Sequence, residues 1–219
     1  MTGARILLHH ARLPARLDRA LETRWLAAVP DALAARIRRM REMRDRMATL
    51  LGIALLLDCA RAAGLDAPLP RFLAFPWGGK PYWPCGPDFS IAHTAVRVGC
   101  ALAPAGGSVG LDLEQRGSVA GAALRLVTSR CERDLYAAAG LSPDDLWTAK
   151  EAVLKAAGAS ASLAARVGLE LESAQLQGTR YRLLRPTLAP DCCSTLAATQ
   201  SADLALREAH AVQLLEYSV

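Results

Sequence analysis

The 219-residue sequence predicts an α+β protein in two halves, each running from helix into several short strands. Three observations carry that expectation. Apolar residues recur at three- and four-residue steps over long stretches, which is the helical period. Short apolar or alternating runs, bounded by Pro and Gly, read as strands. A 52% share of apolar residues is ample for a packed core.

In chain order, residues 31–63 read as one helix, because Leu33, Ile37, Met40, Met43, Met47, Leu50, Ala54 and Leu57 keep helical spacing behind Pro30, with Asp31 as the expected N-cap and Gly64 as the stop. Its first half carries Arg36, Arg38, Arg39, Arg41, Arg44 and Arg46, either a solvated face or a surface for phosphate or an acidic protein. Residues 68–87, rich in Pro, Gly and aromatics (Phe72, Phe75, Trp77, Tyr82, Trp83), read as ordered loop. Residues 89–91, 95–102 and 108–114 read as a strand meander, with Pro104, Gly106 and Gly107 turning the chain between the last two. A boundary at that turn would divide the chain into 1–105 and 106–219. Residues 124–139 read as a helix. Ser142-Pro143-Asp144-Asp145 opens another that Gly158 closes, with Ser as cap, Pro in the first turn and an acid three residues on. Residues 167–171, 181–184 and 211–215 read as strands, with loops around Pro186 and Pro190.

Composition excludes several classes. Apolar runs such as 53–57 fall far short of the roughly 20 residues that cross a bilayer. Residues 6–8 are too few for a signal-peptide core ahead of His9, His10 and Arg12, so a cytoplasmic protein without membrane attachment is expected. Cys59, Cys85, Cys100, Cys131, Cys192 and Cys193 show no CxxC spacing, and His9, His10, His93 and His210 fall at no ligand spacing, so reduced, mostly buried thiols and no zinc are expected. The net charge of +5 favours an acidic partner only weakly. A nucleic-acid binder is the weakest class, since few aromatics interleave with the arginines.

Two patterns carry chemistry. In Val109-Gly110-Leu111-Asp112-Leu113-Glu114, alternation puts Val109, Leu111 and Leu113 on one strand face and Asp112 and Glu114 on the other. Such a pair is either a solvated acidic face or, with a cation between the carboxylates, a site for a hard ion such as Mg²⁺. In residues 147–155, Trp147, Glu151 and Lys155 form one helical stripe with Lys150 beside it. This is either an ordinary surface ion pair or, with the tryptophan partly buried, a setting that tunes acid–base groups. Only three of the 26 basic residues are lysines, Lys80, Lys150 and Lys155. In a chain that otherwise uses arginine, that choice favours a site where a compact ammonium meets phosphate or gives up a proton.

Taken in order, Gly79-Lys80-Pro81, Phe89-Ser90-Ile91-Ala92-His93-Thr94, the 109–114 segment and the 147–155 segment resemble the signatures of the Sfp-type 4′-phosphopantetheinyl transferases. The resemblance spans residues 79–155. It implies two similar, pseudo-symmetric α+β halves with the active site in the cleft between them, the first half contributing to coenzyme A binding and the second carrying the metal and catalytic residues. It also implies an enzyme of the holo-acyl-carrier-protein synthase type: Mg²⁺-dependent transfer of the phosphopantetheine arm of coenzyme A to a serine of an acyl or peptidyl carrier protein, with release of 3′,5′-ADP.

By the same resemblance, Asp112, Glu114 and Glu151 would bind the metal, Glu151 would act as general base, and Lys155 would serve the reacting or leaving phosphate. Lys150 would contact phosphate, and Lys80, Pro81, His93 and Thr94 would hold coenzyme A. The implied partners are an acidic apo carrier protein and coenzyme A, with no nucleic acid or membrane, the chain acting as a monomer. Two positions depart from the pattern: Ala92 stands where the family usually has a serine, and Ala48 where an arginine is common. Arg44 or Arg46 could compensate. A family member that binds coenzyme A or a carrier without useful turnover is the alternative.

Overall fold

Strand β1 (Arg5–Arg12) lies inside a four-stranded sheet around which the computed structural model, describing residues 4–66, 70–76 and 79–218, builds the first half of the molecule. The order is β2 (Phe89–His93), β3 (Arg97–Leu102), β1, β9 (Asp203–Glu208), with β3 antiparallel to both its neighbours and β9 parallel to β1. On one face of this sheet lies α3 (Met43–Ala62), a helix buried over most of its circumference, preceded by α1 (Arg19–Ala28) and α2 (Asp31–Arg39). The final helix, α7 (Ala211–Tyr217), packs against α3, and the Trp25 indole N–H donates to the Leu215 carbonyl at 2.9 Å. Thus β9 and α7, which fall within 106–219, pack with the first sheet.

The second sheet is antiparallel throughout, in the order β4 (Val109–Gln115), β8 (Cys192–Ala198), β7 (Thr179–Leu184), β6 (Ser173–Leu176), β5 (Gly168–Leu169). Ile6, Leu8 and Ala101 of the first sheet share an apolar cluster with Val109, Leu111 and Leu196 of the second. The opposite face of the second sheet carries α6 (Pro143–Ala157), with α4 (Gly121–Val127) and α5 (Arg130–Ala138) alongside. The layers therefore run helix, sheet, sheet, helix, and the α+β expectation is met.

Several local expectations change. Residues 31–63 form two helices: the chain is extended at Met40, and the Arg46 guanidinium pins the break by donating to the Met40 carbonyl and to Glu22, both at 2.9 Å. Asp31 is the first helical residue rather than a cap. Residues 124–139 split into α4 and α5, because Ser129 starts a new helix in a capping box with Glu132. Residues 108–114 are not the third strand of a meander. The chain turns at Gly106, whose φ is +74°, and β4 pairs with β8 in the other sheet. Residues 211–215 are helical, a short apolar run being compatible with either state. Of 167–171 only two residues are strand, after a 3-10 stretch over 161–166. Pro68 and Trp77 lie outside the described residues. All six thiols are free, with Cys59, Cys100, Cys192 and Cys193 buried and Cys85 and Cys131 exposed. Among the described residues no helix is long and apolar enough to cross a membrane.

A buried histidine on β1, His9, ties the first sheet to α3. His9 Nδ1 lies 2.7 Å from Asp58 Oδ2, which also faces Arg207 at 3.3 Å. Burial opposes the charged ring, but hydrogen bonds to Asp58 and Cys59 outweigh it and raise the pKa from 6.5 to about 9. The ion pair's contribution is thus fully present below pH 6.5 and lost as pH rises through about 9. Chemical denaturation is expected to show stability falling by on the order of 3 kcal/mol over that window. His9→Gln should flatten the slope, and an unchanged slope would remove His9 as its source.

Candidate active site

Gly110 lets a helix lie directly on a strand. A Cβ built there would stand 1.9 Å from the Ala152 carbonyl oxygen and 2.4 Å from the Ala156 nitrogen, so α6 rests on β4 with no side chain between them. The helix is fixed at both ends. Ser142 and Asp145 form a capping box, and Gly158 closes the C-terminus at φ +60°. Asp144 in the first turn accepts from the Gly117 and Val119 amides at 2.7 and 3.0 Å, anchoring the loop that leaves β4.

This contact brings Lys155 onto Asp112, with the charges of Glu151 and Glu114 each within reach of that pair. The Lys155 ammonium donates to Asp112 Oδ1 at 2.6 Å, while Asp112 Oδ2 is buried with no partner. Burial raises the Asp112 pKa, the Lys155 ammonium opposes the shift, and the Glu151 charge adds to it. Glu114, whose Oε2 accepts from Ser118 at 3.2 Å, is likewise pushed up by burial and then by Asp112. The carboxylates therefore repel one another around a buried orphan oxygen, which a cation would relieve. In kind they fit a hard divalent ion, all donors being oxygens. Among the described residues no three such side chains already converge as a ligand cluster.

The neighbouring cleft has a volume of about 640 Å³ and is lined by Gly79, Lys80, Pro81, Ser90, Ile91, Glu151, Leu154 and Lys155, with residues 158–161 at its rim. Three of the four sequence motifs meet there directly. The sequence reading missed the rim beyond Gly158, although a glycine stop followed by Ser160 marks a chain reversal beside Lys155. A separate concavity of about 500 Å³, lined by Ser129, Glu132, Arg166, Glu170 and Arg180, contains none of the motif residues singled out above.

Other residues sit as follows. His93 stands at the end of β2, its ring partly covered. Burial of its ring lowers its pKa, Asp45 opposes, and Lys155 and Arg44 lower it further, so it stands in a basic setting between α3 and α6. Thr94 Oγ1 accepts from the Val96 and Arg97 amides at 3.2 and 3.1 Å, which spends its oxygen on the β2–β3 turn. Lys80 donates to both oxygens of Asp88 and to the Val109 carbonyl, each at 2.7 Å.

Lys150 is not brought to the cleft. Its ammonium, 1% exposed, is paired with Glu132 at 2.7 Å and donates to the Val167 carbonyl at 2.5 Å, so the expectation of a phosphate contact gives way to a buried structural ion pair. Adjacent residues on a helix point about 100° apart, so Lys150 and Glu151 face different neighbours. Ala92 is buried in the apolar cluster between the sheets, and Ala48 is buried in α3. Arg46 is committed to Glu22 and Met40, whereas Arg44 is exposed, its Nε 3.7 Å from Asp45 Oδ1.

No curated protein matches this chain. Residues 108–209 match the 4′-phosphopantetheinyl transferase superfamily, a span that contains Asp112, Glu114, Glu151 and Lys155 together with β4 and the whole of α6. Over those residues, which make up a little under half of the chain, the sequence is similar to the 4′-phosphopantetheinyl transferase superfamily.

Proposed function

We propose that this chain transfers the phosphopantetheine arm of coenzyme A to a serine hydroxyl of a carrier protein and releases 3′,5′-ADP. The similarity to the superfamily supports a phosphopantetheinyl transferase role in general. The finer reading rests on one observation: Asp112, Glu151 and Lys155 meet across the β4–α6 contact beside the cleft that Lys80 and Pro81 also line.

Each residue then has a task. Glu151 accepts the proton of the attacking serine as attack proceeds. Lys155 brings an ammonium to the reacting phosphate and can protonate the leaving phosphate oxygen. Asp112, Glu114 and Glu151 would hold a Mg²⁺ ion, which would supply stabilisation of the charge developing on the transferred phosphoryl group. Arg44 provides the positive charge at the mouth for the nucleotide phosphates and the largely neutral His93 ring an N–H donor beside it, with Thr94 at the adjoining turn. Lys80 and Pro81 form the wall against which coenzyme A lies. The first half, 1–105, thus contributes to nucleotide binding and the second, 106–219, the reacting groups.

The exposed arginines at 36, 38, 39, 41 and 44 suit an acidic carrier, whose association would be faster at low salt. The chain works as a monomer in the cytoplasm, without nucleic acid or membrane. The test is to mix it with coenzyme A, Mg²⁺ and an apo carrier, and to look by intact mass for one added phosphopantetheine arm. Transfer supports the reading. Coenzyme A binding without transfer to any of several carriers supports a binding module instead, and no binding overturns both.

Lys150 gives a separate check. Lys150→Met is expected to lower stability by about 3 kcal/mol, because it leaves the Glu132 carboxylate buried without its cation. Turnover per folded molecule should stay near wild type. A selective rise in KM for coenzyme A would instead restore Lys150 to the phosphate site.

A further inference from the structure

β2 ends the first sheet and β4 ends the second, so each presents an edge with unpaired backbone groups, and the two edges face each other. No backbone ladder joins them. Side chains do so instead. Asp88, immediately before β2, accepts the Val109 amide through Oδ2 at 2.8 Å, and both its oxygens accept from the Lys80 ammonium at 2.7 Å. Lys80 also donates to the Val109 carbonyl at 2.7 Å. One step along, Ser90 Oγ accepts the Leu111 amide at 2.9 Å, a buried bond. Asp88 and Lys80 thus satisfy both backbone groups of Val109, and Ser90 the next inward amide.

We infer that Asp88 is a positioning residue: with Lys80 and Ser90 it stitches the strand that ends in His93 to the strand that carries Asp112 and Glu114, and so sets the two walls of the cleft in register. The inference rests on the transferase reading for its catalytic consequence, but not for the stitch itself. It gives Lys80 a first duty other than phosphate contact, since its donors are already engaged by protein oxygens. It also predicts which constants move. Asp112, Glu114, Glu151 and Lys155 lie on β4 and α6, while His93 and Arg44 lie on β2 and α3. Loosening the stitch leaves each group internally intact and misaligns one against the other, an effect on kcat more than on binding.

The experiment measures amide hydrogen exchange and steady-state transfer in parallel, on wild type, Asp88→Ala and Asp88→Asn, at a temperature where each is folded. In Asp88→Ala the Val109 amide should exchange about tenfold faster or more, with Leu111 less affected. Transfer kcat should fall about tenfold, with KM for coenzyme A and the Mg²⁺ half-saturation within about twofold of wild type. Asp88→Asn keeps an acceptor for Val109 and should recover much of the protection and part of kcat. It also carries the test if the alanine variant does not fold. Unchanged Val109 exchange overturns the stitch. Faster exchange with unchanged kcat overturns the positioning role. A wild-type chain that transfers nothing overturns the transferase reading, and exchange then decides the stitch alone.

Discussion

Replacing Gly110 by alanine is expected to cost about 3 kcal/mol or more, at or beyond the upper end of ordinary overpacking, and to lower the thermal midpoint by about 6–12 °C. The reason lies in what the new methyl would meet. Its nearest atoms, the Ala152 carbonyl oxygen at 1.9 Å and the Ala156 nitrogen at 2.4 Å, are backbone of α6, and neither can rotate away. The helix must move as a body, leaving unfilled space elsewhere along the β4–α6 contact and drawing Glu151 and Lys155 away from Asp112. Transfer should therefore fall further than the loss of folded protein explains. Gly52→Ala is the control. There the clash, 2.6 Å, is with the Cγ2 of Ile91, a side-chain atom that a change of rotamer can shift, so a smaller loss of stability is expected. A Gly110→Ala melt within about 2 °C of wild type would mean that β4 and α6 do not approach this closely.

The legibility of the sequence follows the range of the forces involved. Helix α6 could be read almost to the residue, because its cap, its first-turn proline, its apolar period and its glycine stop are all local. The alternation of 109–114 was equally plain, but its partner β8 lies about 80 residues away, and nothing local says that β4 leaves the first sheet. Strands β1 and β8 escaped because they are buried on both faces and show no alternation. The break between α2 and α3 has no Gly or Pro to announce it and is held by Arg46, a tertiary contact. The break before α5 did have a local signature, Ser129 with Glu132 three residues on, which the apolar period masked. At the site, only the family resemblance put the 109–114 and 147–155 segments in one centre, where Asp112 and Lys155 pair at 2.6 Å, whereas nothing local shows that Lys150 turns to Glu132 on another helix. Asp88 belonged to no motif, and only the facing of two sheet edges gives it meaning.

Asp112→Asn and Glu151→Gln are each expected to lower transfer by about 10²–10³-fold while leaving the fold standing. Asparagine keeps the volume of the buried side chain, and Asp112 Oδ2 has no donor to lose. Lys155 would lose its 2.6 Å partner, but its side chain is 30% exposed and water can take over, so the stability change should stay within about 1 kcal/mol. Activity and stability thus separate here, the reverse of Lys150→Met, where a buried carboxylate is stranded. Glu114→Gln should cost less, about tenfold, since that carboxylate is half-exposed and already held by Ser118. Initial rates by intact mass, taken beside thermal melts, check all three, and a chelator should silence the wild type. Near-normal turnover in Asp112→Asn would remove that residue from the reacting centre. A collapse in its melting temperature would show that the Asp112–Lys155 pair holds the fold rather than the substrate, leaving Glu151→Gln to decide where the chemistry sits.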